Sequence, residues 1–74
     1  MKIETLDTRT LKTPNDVLKI AVKATSMKPG SILEVLGKGP TFEKDVRAWC
    51  EGTGRVILSV ETEERDTRII QIQF

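Results

Sequence analysis

Between residues 13 and 27 the apolar positions fall on a single stripe. Val17, Ile20, Ala21, Ala24 and Met27 recur at three- and four-residue spacing, with Lys19 and Lys23 opposite them. That period is the helical one and predicts a helix over Thr13 to Met27. Lys28-Pro29-Gly30 stops it, as a proline–glycine pair just past the last turn should. A second helix is predicted over Thr41 to Glu51. Phe42, Val46, Trp49 and Cys50 share its inner face, and Gly52 and Gly54 end it. Elsewhere the pattern changes period. Met1 to Leu6 reads as a short edge strand. Ser31 to Leu36 reads as a strand with Leu33 and Val35 on one face, broken by Gly37-Lys38-Gly39-Pro40.

Arg55 to Thr62 alternates, placing Val56, Leu58 and Val60 on one side and Ser59 and Glu61 on the other. Thr67 to Phe74 alternates again, with Ile70, Ile72 and Phe74 against Gln71 and Gln73. Glu63 to Asp66 is the charged turn between them, so the two strands read as a hairpin. Each has one apolar and one largely polar face, which suits a sheet covered on one side only. The expected architecture is therefore an α+β two-layer sandwich in the order β-α-β-α-β-β. A four-stranded mixed sheet carries both helices on one face.

Size and charge narrow the function. The 74 residues form one domain, 1–74. A chain this short buries only ~60% of the surface exposed on unfolding, so its core is thin. It cannot enclose a deep substrate cavity within one protomer. Twelve basic and 11 acidic residues leave a net charge of +1, which argues against a dedicated nucleic-acid binder. No apolar run approaches the roughly 18 residues of a membrane span. The start, Met1-Lys2-Ile3-Glu4, has no secretory hydrophobic region, so a cytoplasmic protein is expected.

The chain has one cysteine, Cys50, and no histidine. An intrachain disulfide is excluded, as are Ser-His-Asp and Cys-His catalysis and a Cys/His zinc site. No metal site and no cofactor is expected. Thr13 is a good helix N-cap, Pro14 is favoured at the first helical position, and Asp16 approximates a capping box. A threonine hydroxyl with no neighbouring base is a poor nucleophile. Asp16 already occupies the positive end of the helix, so an anion is poorly accommodated there. Cys50 falls on an apolar stripe and reads as a small core hydrophobe. To react it would need exposure near Arg47 or Arg55. Arg9, Lys12, Lys19 and Lys23 read as a solvated face. Gly37-Lys38-Gly39-Pro40 lacks the spacing of a phosphate loop and reads as a turn.

The segment Leu6-Asp7-Thr8-Arg9-Thr10-Leu11-Lys12-Thr13-Pro14-Asn15-Asp16 resembles the opening motif of the TusA/SirA-like family, Leu-Asp-x-Arg-Gly-Leu-x-Cys-Pro-x-Pro. Leu6, Asp7, Arg9, Leu11 and Pro14 are in register. Lys28-Pro29-Gly30, Ile32-Leu33-Glu34-Val35, Asp45 and Gly54 before Val56-Ile57-Leu58-Ser59-Val60 extend the resemblance over nearly the whole chain. It implies the same two-layer fold. In such sulfur-trafficking domains the motif cysteine carries sulfur as a persulfide between partner proteins. Thr13 stands at that position, Asp16 at the second proline and Thr10 at the glycine.

The resemblance therefore implies a family frame without its carrier thiol. The expected role is a non-catalytic protein-binding or regulatory module in sulfur or redox metabolism. Arg9, Lys12, Thr13, Pro14, Asn15 and Asp16 would be its binding surface. One alternative is a sulfur carrier or sulfurtransferase component that uses Cys50 or a partner's thiol. The other is a nucleic-acid-binding α/β domain, disfavoured by the charge balance and by the lack of an aromatic platform on the sheet.

Overall fold

A computed structural model describes residues 2–64 and 66–74, and within them the elements follow the predicted order. They are β1 (Ile3–Asp7), α1 (Asn15–Ala24), β2 (Ile32–Gly37), α2 (Phe42–Thr53), β3 (Val56–Thr62) and β4 (Arg68–Gln73). The strand start expected at Met1 and the Arg65 position of the expected turn lie outside the described residues. The sheet order is β1-β2-β4-β3. β1 and β2 run parallel, joined by the α1 crossover. β4 is antiparallel to both its neighbours, so it is inserted between β2 and β3, which α2 connects.

Both helices press on one face of this sheet. Ile20 of α1 and Phe42, Val46 and Cys50 of α2 join Leu33, Val35, Ile70 and Ile72 in one buried cluster. Leu6, Met27, Trp49, Ile57, Val60 and Phe74 pack around it. Each fully buried aliphatic or aromatic side chain contributes about 1.5–3 kcal/mol. The helices approach closely enough that the Phe42 ring fills the space where a Cβ on Gly37 would lie. Gly54 ends α2 at φ +73°, and the next N–H, from Arg55, bonds the Cys50 carbonyl at 2.8 Å. Gly52, expected to end the helix, lies inside it.

Two further expectations are corrected. The first concerns β3. Ile57 pairs with Ile72 and Ser59 with Gln71, leaving Leu58 as an extra residue in a β-bulge. The bulge changes the parity of the strand. Ile57 and Val60 both reach the core, whereas Val56 and Leu58 join Ser59 and Glu61 away from it. Strict alternation from Ile57 would have put the Ser59 hydroxyl into the core. The open face of the sheet is consequently less polar than expected. A ladder crosses its middle, from Ser59 Oγ to Gln71 Oε1 at 3.4 Å and from Gln71 Nε2 to Glu34 Oε2 at 3.0 Å.

The second concerns the start of α1. Pro14, not Thr13, occupies the N-cap position, and no side chain caps the helix. Thr13 lies one residue outside it. Asp16 makes no capping box, because its Oδ1 accepts from the Val17 N–H at 2.7 Å. No helix among the described residues is long and apolar enough to cross a membrane.

Candidate functional site

The loop between β1 and α1 is fastened at both ends. At its start Thr8 is buried, and both its N–H and its hydroxyl donate to the Leu36 carbonyl at 2.8 Å. This pins the loop to the end of β2. Asp7 organises the next two residues. Its Oδ1 accepts from the Arg9 N–H at 3.0 Å and from Nε at 2.9 Å, and its Oδ2 accepts from Nη2 at 2.7 Å. A short acidic side chain two residues before an arginine can close both the backbone turn and the planar fork. The Arg9 hydrogen bonds hold the Asp7 carboxyl at about 2, below its ordinary 3.8. Reciprocally, Asp7 raises Arg9, with smaller help from Glu63 and Glu64.

At the far end the chain turns sharply into the helix. The Leu11 N–H donates to the Thr8 carbonyl at 3.0 Å, and the Asn15 N–H donates to the Lys12 carbonyl at 2.6 Å. Thr13 and Pro14 form the corner of that second turn, with a cis peptide between them. The Leu18 N–H then bonds the Pro14 carbonyl at 3.0 Å and begins the helical ladder. The loop therefore presents Arg9, Lys12, Thr13, Pro14 and Asn15 together on the surface. Asp16 is not with them. It is 2% exposed and folded into the first helical turn.

Cys50 is far from this arrangement in character. It sits on the inner face of α2, 2% exposed, within the core cluster. Burial pushes its thiol up, while Arg47 and Arg55 act weakly in the opposite direction. A buried, mainly protonated thiol is neither a ready nucleophile nor an accessible acceptor.

One feature had no signal in the sequence. An open cleft of about 440 Å³ is lined by Lys38, Glu64, Asp66 and Thr67. β1 and β2 are parallel, so their C-terminal ends lie side by side. The β3–β4 turn comes to the same end of the sheet. Lys38 follows β2 and the three other residues belong to that turn. Only the strand order brings them together, and residues so far apart in the chain share no local pattern.

The comparisons with known proteins agree with this frame. Residues 4–73 match the family described as sulfurtransferase TusA. An Aquifex aeolicus protein named "Putative sulfur carrier protein" is 33% identical over 63 residues, covering 85% of this chain. The chain spans about a third of that relative, 32% of its length. Similarly named proteins of Neisseria meningitidis serogroups A and B are each 33% identical over 64 residues, covering 86% of both chains. With the β-α-β-α-β-β sandwich and the fastened β1–α1 loop, these matches establish that the chain belongs to the TusA family.

Proposed function

We propose that this domain is a member of the TusA family that carries no sulfur itself and works in the cytoplasm as a protein-binding or regulatory module of sulfur or redox metabolism. The observation that carries the reading is the separation of loop and thiol. The motif loop is ordered and open, but its position 13 offers a hydroxyl. The chain's one thiol, on Cys50, is enclosed in the core. Lys12, Thr13, Pro14 and Asn15 would meet the partner, with Arg9 held in place by Asp7. The family's sulfur-carrier relatives support a partner that is itself a sulfur-handling protein.

The test is sulfur loading followed by intact-mass measurement. A persulfide donor passes its outer sulfur to a thiol, which becomes a persulfide while the donor leaves as a thiol. Wild type is expected to gain no sulfur, and Thr13→Cys is expected to gain one atom. Loading of the wild type, abolished in Cys50→Ser, would overturn the reading in favour of a carrier that uses Cys50. Failure of Thr13→Cys to load would show that the scaffold around position 13 no longer supports transfer.

A further inference from the structure

The two edges of the sheet differ. β3 is interrupted by the Leu58 bulge, a device that discourages pairing with another chain. β1 has no such interruption, because its pairing with β2 is continuous from Ile3 to Asp7. Its sequence, Ile-Glu-Thr-Leu-Asp, contains neither proline nor lysine, the residues that commonly blunt an edge. At its two ends the Lys2 carbonyl accepts from the Ile32 N–H, and the Thr8 N–H donates to the Leu36 carbonyl. Backbone groups alternate in direction along a strand, so Lys2, Glu4, Leu6 and Thr8 turn theirs toward β2. The N–H and C=O groups of Ile3, Thr5 and Asp7 point outward, and nothing among the described residues bonds to them.

The charges of β1 are cancelled within the chain. Glu4 is paired with Lys23 of α1 at 2.7 Å, and Asp7 is held in the Arg9 fork. Neither acid therefore repels an incoming strand. Glu4 and Leu6 lie on the helix side, whereas Ile3, Thr5 and Asp7 share the open face. Ile3 and Thr5 are exposed there, and β-branched residues favour a paired strand. The strand is also self-complementary in one antiparallel register. With Thr5 opposite Thr5 of a second copy, Ile3 faces that copy's Asp7, and Asp7 faces its Ile3. Outward residues then meet outward residues throughout, and each such pair exchanges both N–H···O bonds. Glu4 falls opposite Leu6, so no like charges are opposed. Sliding the strands by two residues in either direction leaves one outward residue of each copy without a strand partner. In one direction it also sets Glu4 against Glu4.

We infer that this domain forms a two-fold dimer through β1, joining the two sheets edge to edge into one continuous sheet. The outward row of alternating donors and acceptors fits an extended strand. A second copy is the occupant because its β1 is such a strand, with its acids already neutralised and with one register that uses every outward residue and opposes no like charges. A contact of a surface with itself closes, and the bulged β3 strands form both outer edges, so growth stops at two. The strand has five residues, so the contact is small and the dimer depends on chain concentration. The inference does not depend on whether the β1–α1 loop carries sulfur.

Sedimentation equilibrium and amide hydrogen exchange on the intact chain test it. Wild type is expected to pass from monomer to dimer as chain concentration rises, with nothing larger. Over the same range, exchange at the Ile3, Thr5 and Asp7 amides should slow, while the Glu4, Leu6 and Thr8 amides, turned toward β2, stay protected throughout. Thr5 is exposed and its N–H points away from β2, so substitutions there leave the ladder to β2 intact. Thr5→Lys and Thr5→Glu each set like charges across the two-fold axis and should weaken dimerisation by about tenfold. Mixed, they should restore it as a one-to-one heterodimer, because this register sets position 5 against itself. Circular dichroism checks that each variant is folded; Thr5→Arg or Thr5→Asp replaces one that is not. A wild type that stays monomeric at millimolar concentration, association without slowed exchange at the outward amides, or a mixture that associates no better than either variant alone would each overturn the inference.

Discussion

Gly37 shows how a single residue decides the spacing of the layers. The Phe42 ring lies where its Cβ would be, so Gly37→Ala must displace a fully buried aromatic from a packed core. Overpacking of this kind costs about 1–3 kcal/mol. In a domain of this size each kcal/mol lowers the melting temperature by about 4–8 °C. A thermal melt of Gly37→Ala should show that loss. Adding Phe42→Leu should give a double variant less destabilised than the sum of the singles, since the two groups compete for one space. Strict additivity would remove this account. Asp7 makes a different kind of prediction. Its carboxyl is held at about 2 against an ordinary 3.8, so it favours the folded loop above the ordinary value. That contribution fades as pH falls from about 4 through about 2. Carboxyl titration by NMR should find the midpoint near 2, with the Arg9 side-chain signals changing in step. A midpoint near 3.8 would mean the fork is not formed in solution. The pair is exposed, so global stability should barely respond to Asp7→Asn.

Among the elements, the helices, β2 and β4 were legible because one face of each is consistently apolar, and β1 showed only as a short, weakly apolar edge. β3 was not, because a bulge leaves no mark on an alternating pattern. Val56, Leu58 and Val60 form a perfect two-residue repeat, yet only Val60 of the three packs on the core. The deciding facts are the partners across the sheet, Ile72, Gln71 and Ile70, which fix the register from outside the strand. A deletion tests this directly. Removing Leu58 should restore simple alternation, with Ile57 and Val60 still on the core side and Ser59 still beside Gln71. Stability is expected to change by less than about 1 kcal/mol, because no core contact is lost. The unbulged edge should, however, aggregate more readily, since a flat edge strand offers its free backbone groups to other chains. Light scattering of wild type and deletion at equal concentration measures that difference. The start of α1 was misread for a related reason. Thr-Pro-x-Asp satisfies the preferences of a cap locally, but the turn from Lys12 to Asn15 carries Thr13 one position beyond the helix.

At the scale of the whole molecule, the candidate site was legible as a segment and not as a surface. Residues 6–16 are contiguous, so their motif could be read directly, and five of the six candidate binding residues do share the exposed loop. The burial of Asp16 depends on what packs around the first turn of α1, and the neighbouring cleft depends on strand order. Neither is written in the segment. Strand order also places Lys2 and Phe74. The Ile32 N–H donates to the Lys2 carbonyl on one side of β2. On the other side the Phe74 N–H donates to the Ser31 carbonyl. Lys2 and Phe74 therefore flank the start of β2, about two strand spacings or ~10 Å apart. They lie at the opposite end of the sheet from the Thr13 corner. A linker of roughly three residues spans that distance. The domain can thus be tethered to a surface, fused to a reporter or circularised through residues 2 and 74 while the β1–α1 loop stays uncovered, so immobilised protein is a fair bait for whatever binds there.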